Sequence, residues 1–180
     1  MAWTAPMTAI SGSVFTAAQF NQFIRDNLLE TAPAKATTEG RYFVAAGPNS
    51  INERAWDTSI INTIESTAST SYTDLATAGP AVTLTTGTRA FIFVTAQLVC
   101  DTAGQTARTT FEVSGDTTRA ALDSEALMNL RVATGNDQRS TVLSGVGGLT
   151  PGSNTFTMKY RTSGASISTF GNRRILVMPY

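Results

Sequence analysis

The chain has 180 residues, the length of one domain or two small ones; 42% are hydrophobic and only 14% are charged, against roughly 25% in ordinary soluble domains. Thirteen Lys and Arg balance thirteen Asp and Glu, so no excess of positive charge is there to neutralise phosphates, and a nucleic-acid partner is not expected. There is no histidine and a single cysteine, Cys100, which excludes a Ser-His-Asp triad, a Cys-His pair, a zinc centre of Cys and His ligands, and an internal disulfide.

Thirty threonines and fifteen serines stand where charge would be. They suit strands and turns, and favour a binding or structural role over catalysis. No run of 18 apolar residues occurs, so no membrane insertion is expected. The opening Met-Ala-Trp-Thr-Ala-Pro lacks a basic region and a long apolar stretch, and does not read as a secretory signal.

Residues 1–15 are small and apolar, broken by Pro6, Ser11, Gly12 and Ser13, and read as an extended arm. Phe15-Thr-Ala-Ala-Gln-Phe20 then carries a helix start. Thr16 is placed as N-cap, Gln19 completes a capping box, and Phe15 and Phe20 form a hydrophobic staple. A helix over roughly 17–30 is predicted, with Phe20, Phe23, Ile24, Asn27 and Leu28 on one face. Pro33 bars its continuation. So short a helix is marginal alone, and its apolar face needs a partner. Residues 31–57 read as a connector with a short strand at Tyr42-Phe43-Val44 and a turn at Gly47-Pro48-Asn49-Ser50.

From Thr58 the pattern is strand after strand. Segment 58–65 carries Ile60, Ile61 and Ile64, and segment 70–76 carries Tyr72 and Leu75. Segment 81–86 sets Val82 and Leu84 against Thr83 and Thr85. Segment 89–100 has apolar even positions (Ile92, Val94, Ala96, Leu98, Cys100), and its odd positions start with Phe91 and Phe93 and turn polar at Thr95 and Gln97; a strand apolar on both faces is covered on both sides. Segment 107–114 sets Phe111 and Val113 against Thr110 and Glu112. Segment 126–133 sets Ala126, Met128, Leu130 and Val132 against Asn129 and Arg131. Segment 154–161 sets Phe156, Met158 and Tyr160 against Thr155, Thr157, Lys159 and Arg161. Ile175, Leu176, Val177 and Met178 mark a last strand over 173–178, and Pro151-Gly152 suits a tight connection. The fold class is mainly β: an antiparallel β-sandwich or jelly roll over 58–180, preceded by an anchor over 1–57 made of an extended arm, one amphipathic helix and a connector.

The stretch Phe15-Thr-Ala-Ala-Gln-Phe-Asn-Gln-Phe-Ile-Arg-Asp-Asn-Leu28 resembles the opening of virion proteins from tailed phages of actinobacteria. Gly148 to Arg161 and Arg174 to Tyr180 resemble the closing strands of trimeric sandwiches of the tumour-necrosis-factor and complement-C1q type. The resemblance implies a non-enzymatic virion component without cofactor, made in the host cytoplasm and carried on the particle surface. It leaves head and tail open. The expected function is capsid decoration or head fibre, with the major capsid protein or another virion protein as partner and a homotrimer as the assembly. The alternatives are a minor tail or receptor-binding protein at the tail tip, and a carbohydrate-binding module addressing a host-surface glycan, for which Tyr72, Tyr160 and Phe170 are the candidate aromatics.

Sharper chemistry has weak footing. Asp101, Asp116, Asp123 and Asp137 sit in turn-like stretches and read as solvated. Gly135-Asn136-Asp137 lacks the companion acids of a calcium loop. Gly145-Val-Gly-Gly148 lacks the Gly-Lys-Ser/Thr ending of a phosphate loop and reads as a flexible connection between strands. Cys100 ends an apolar face and reads as a buried small hydrophobe. The helix residues Phe20, Phe23, Ile24 and Leu28, with Trp3 and Phe15, are the candidate docking residues, and Trp56 is a further anchor candidate. Phe91 and Phe93 are the candidate oligomer contacts.

Overall fold

Thr16 begins the first regular element. Its Oγ1 accepts the Gln19 N–H at 3.3 Å, and its own N–H donates to Gln19 Oε1 at 2.9 Å. The Phe15 and Phe20 rings meet edge to face, 6.1 Å between centroids, so the capping box and the staple are both formed. The computed structural model describes residues 3–131 and 138–180; Val132 and Gly135-Asn136-Asp137 lie outside the described residues. The chain divides into two units, Met1–Ala55 and Trp56–Tyr180.

In the first unit, the helix continues from the α-turn Ala17–Phe20 through a π-turn, Asn21–Arg25, to a second α-turn, Asp26–Leu29. Pro33 sits inside a separate turn, Ala32–Lys35, where its missing N–H costs nothing. The predicted connector is more ordered than expected. Strand β1 (Tyr42–Gly47) pairs antiparallel with β2 (Ser50–Arg54) in a hairpin whose turn places Asn49 at φ 54°. The polar run Ser-Ile-Asn-Glu-Arg54 hid the second strand, because it is held by backbone pairing rather than by an apolar face.

The second unit is built from β3 (Asp57–Ile61), β4 (Glu65–Thr67), β5 (Ala81–Thr86), β6 (Arg89–Cys100), β7 (Thr106–Gly115), β8 (Leu127–Leu130), β9 (Gln138–Gly147), β10 (Gly152–Thr162) and β11 (Ser168–Pro179). They form two antiparallel sheets with strand orders β3-β11-β6-β9, with β4 added on β11, and β5-β10-β7-β8. Consecutive strands mostly cross from one sheet to the other, which is jelly-roll connectivity. The core between the sheets takes Ile92, Val94 and Leu98 from β6, Phe111 and Val113 from β7, Phe156, Met158 and Tyr160 from β10, and Phe170, Ile175 and Val177 from β11, all essentially inaccessible. Each large apolar side chain so buried is worth about 1.5–3 kcal/mol of transfer free energy. Gly115 is required where β7 ends, at φ 102°, because a Cβ would lie 2.4 Å from the Ser153 carbonyl oxygen.

Three expectations need correction. Segment 70–76 is not a strand; Thr73 alone bridges to Tyr160. The face predicted for 126–133 is inverted: Met128 and Leu130 are exposed while Leu127 and Asn129 point inward. Asn129 Nδ2 donates to the Leu98 carbonyl at 2.8 Å, and this tie fixes the strand's phase against its apolar alternation. The stretch through Gly145 and Gly147 belongs to β9, paired along its length with β6.

Among the described residues one charged side chain is fully inside. Arg173 has no exposed surface, and its guanidinium donates to the Thr77 and Gly79 carbonyls at 3.2 and 3.5 Å, to Thr63 Oγ1 at 2.9 Å and to Glu65 Oε2 at 3.1 Å. It also lies over the Tyr160 ring at 5.4 Å. The long connection from β3 to β5 is thereby tied to β11. Hydrogen bonds from Thr77, and after them the Arg173 charge, hold the Glu65 carboxyl below its usual range.

Candidate docking and self-association surfaces

Among its described residues the first unit exposes nine large apolar side chains: Trp3, Ile10, Val14, Phe15, Phe20, Ile24, Leu28 and Leu29, and Phe43 on the hairpin. Among its described residues Asn27 alone is buried, and no apolar residue is. A segment of this size without an apolar core lacks the main driving force of folding.

What holds the unit is polar. Asn27 Oδ1 accepts the Thr4 N–H at 2.9 Å, and its Nδ2 donates to the Thr4 and Phe23 carbonyls at 3.0 and 3.1 Å. The Trp3 N–H donates to the Asn49 carbonyl at 2.9 Å. The arm is thus pinned to the helix and to the hairpin turn. Lys35 Nζ donates to the Ile51 carbonyl at 3.0 Å and pairs with Glu30 at 2.6 Å.

The helix face expected to be single is split. Phe23 and Asn27 turn toward the arm and are half-buried and buried, whereas Phe20, Ile24 and Leu28 remain 48%, 39% and 59% exposed. The π-turn takes more residues per turn than an α-turn, so residues four apart line one ridge. The structure therefore brings Phe20, Ile24 and Leu28 into one outward stripe with Phe15 at its head, while Phe23 turns toward the arm and is half-buried. Phe23 and Ile24 line an apolar hollow with Pro6, Met7, Ile10 and Phe15.

In the second unit the two sheets present opposite outer surfaces. On the five-stranded sheet, Phe91 and Phe93 of β6 stand outward, 38% and 37% exposed, with Leu143 of β9 opposite Phe93 and Met178 of β11 opposite Phe91. Tyr180 stacks on Phe91 at 4.4 Å, and Ile60 of β3 extends the same surface. On the four-stranded sheet, Thr83, Thr85, Thr155 and Thr157 alternate with Lys159, Arg161, Arg108 and Glu112, all facing out. Lys159 lies 2.8 Å from Asp74 and 3.0 Å from Glu112.

The aromatics considered for a glycan separate likewise. Tyr160 and Phe170 are core residues with no exposure, 5.0 Å from each other, and cannot meet a sugar. Tyr72 reaches a groove on the four-stranded sheet with Leu122, Asp123 and Arg161. There Asp123 accepts from the Tyr72 hydroxyl at 2.7 Å, from Arg108 at 2.6 Å and from Arg161 through both Nε and Nη2. Burial raises the Asp123 carboxyl, but Arg161, Tyr72 and Arg108 outweigh it and hold it below its ordinary value. Its lone pairs are engaged by the protein, so the cluster is a clamp between the sheet and two loops. Arg119 and Glu125, paired through both guanidinium nitrogens at 2.7 and 2.6 Å, hold one of those loops.

Cys100 is buried as part of the hydrophobic core, with hydroxyls of Thr162, Ser166 and Ser168 against its thiol. Burial raises its thiol pKa, yet hydrogen bonds from the Thr102 backbone and from Ser166, Ser168 and Thr162 bring it below its ordinary value. No three His, Cys, Asp or Glu side chains gather as a metal centre among the described residues, and no described helix is long and apolar enough to cross a membrane. Trp56 is exposed. Comparison with models of known protein families gives no match, and comparison with curated proteins gives none.

Proposed function

We propose that the chain is a structural protein of a tailed-phage virion: a capsid decoration or head-fibre protein whose first unit docks on the major capsid protein and whose jelly roll associates as a homotrimer on the particle surface. The observation that carries this reading is the contrast between the units. The jelly roll closes its own core. The first unit buries no apolar residue yet carries Phe15, Phe20, Ile24 and Leu28 on its surface, the signature of a segment completed by a partner. The aromatic surface of Phe91, Phe93, Leu143, Met178 and Tyr180 supports self-association, because exposed apolar surface of that kind marks an interface. A minor tail or receptor-binding protein at the tail tip uses the same two features and is the second reading.

The test is incorporation. Phe20→Asp with Ile24→Asp places two charges in the stripe without touching the jelly-roll core. Phage carrying the double variant should assemble particles that lack this protein, while the purified variant retains a cooperative unfolding transition. Normal incorporation would remove the helix from the attachment site.

A further inference from the structure

We infer that the groove on the four-stranded sheet of the jelly roll is a saccharide site, which takes a neutral oligosaccharide between the loop carrying Thr70, Ser71 and Tyr72 and the loop carrying Ala120, Ala121 and Leu122. The site lies wholly within the second unit and does not depend on the docking proposed for the first.

The groove has a volume of about 590 Å³, within the range of roughly 300–1,000 Å³ for small-ligand sites. Its floor includes Arg161 of β10 and Glu112 of β7. β10 is hydrogen-bonded to β5 on one side and to β7 on the other, so it offers no free edge to an extended peptide. A ligand there meets side chains, and these are of two kinds. Leu122, 41% exposed, forms an apolar wall with the two alanines. Opposite in character are the exposed Thr70 and Ser71, whose hydroxyls both donate and accept, and the Glu112 carboxylate, which is 38% exposed and meets Lys159 through Oε1. A sugar ring has the same division, with a C–H face and a rim of hydroxyls.

Charge narrows the class further. Arg108, Lys159 and Arg161 are matched by Asp74, Glu112 and Asp123, three cations against three carboxylates in direct contact. An ionic ligand would have to displace one of these partners, and a purely apolar one would bury polar groups without replacing their hydrogen bonds to water. An uncharged polyol does neither. The walls are also set before a ligand arrives. Asp123 accepts from the Tyr72 hydroxyl at 2.7 Å on one loop and from Arg108 at 2.6 Å on the sheet, and the Arg161 guanidinium lies over the Tyr72 ring at 5.3 Å. A groove held at fixed width spares the ligand the ordering of its walls, which otherwise opposes binding.

The experiment applies the full chain to a panel of immobilised oligosaccharides with neutral, uronic-acid-bearing and sulfated members. Neutral members should retain it. Leu122→Arg and Ala120→Trp alter exposed loop positions and obstruct the groove; each should weaken binding to the best neutral member at least about tenfold, with the melting temperature of the jelly roll unchanged. Phe20→Asp with Ile24→Asp should leave saccharide binding intact, which separates this site from the first unit. Absence of retention of every neutral member at roughly millimolar concentration overturns the inference. Retention confined to charged members, or retention that survives both groove substitutions, overturns it equally.

Discussion

Replacing Arg173 with Met should be among the most damaging single changes in the jelly roll, although it exchanges a charge for an apolar side chain of similar length. Arg173 has no solvent exposure and joins residues 63, 65, 77 and 79 to β11. Met fills much of the volume but leaves Glu65, whose side chain is 16% exposed, without its counter-charge, and leaves the Thr77 and Gly79 carbonyls without this donor. Removing one partner of a buried ion pair costs about 3–5 kcal/mol, most of it from the charge left behind. Glu65→Gln in the same chain removes that charge while its side-chain oxygen still accepts from Thr77, now at 2.6 Å from the hydroxyl. The double variant should therefore regain part of the loss, about 1–2 kcal/mol. The assay is urea unfolding of the full chain followed by circular dichroism, comparing midpoints at constant slope. If Arg173→Met matched wild type in stability, the guanidinium would not be holding the β3–β5 connection, and the reasoning would fail.

Further outcomes follow from the same contacts. Asn27→Ala removes two hydrogen bonds to the arm and one to the Phe23 carbonyl; limited proteolysis should then cut between residues 4 and 15 several times faster, with the jelly-roll melting temperature unchanged. Asp123 and Glu65 both have folded pKa values below their unfolded ones, so their contributions are full above the unfolded values and are lost as pH falls through the folded ones. Stability should therefore be level through neutral pH and decline below about pH 4, and Asp123→Asn should flatten that decline; an unchanged acid limb would contradict the clamp. Cys100 should resist thiol reagents until the jelly roll unfolds, and rapid labelling of the native chain would show that strand end to open.

The strands legible in the sequence were those whose partners lie on a single face. Phe156, Met158 and Tyr160 alternate with hydroxyl and basic residues because β10 is the second strand of its sheet, with one face in the core and one in solvent. The helix start was equally clear, since Thr16 and Gln19 act on neighbouring backbone and need no tertiary partner. Long-range pairing hid the rest. β9 reads Gln-Arg-Ser-Thr-Val-Leu-Ser-Gly-Val-Gly147, with Ser144 among its inward residues and Leu143 among its outward ones, so no apolar period marks it. β8 takes its phase from Asn129 bonding to Leu98, a residue 31 positions away. Arg173 reads as an ordinary surface charge until the 63–79 connection folds over it. Of the candidate site, the individual apolar residues were visible; the division of the helix into a Phe23–Asn27 side and a Phe20–Ile24–Leu28 side was not, because it depends on the π-turn and on where Thr4 returns.

Gold labelling of purified phage particles with an antibody to the jelly roll, viewed by electron microscopy, tests the central claim most directly. The account predicts label distributed over the capsid surface and lost from particles carrying Phe20→Asp with Ile24→Asp. Label confined to the tail tip, or particles that carry none, would contradict it.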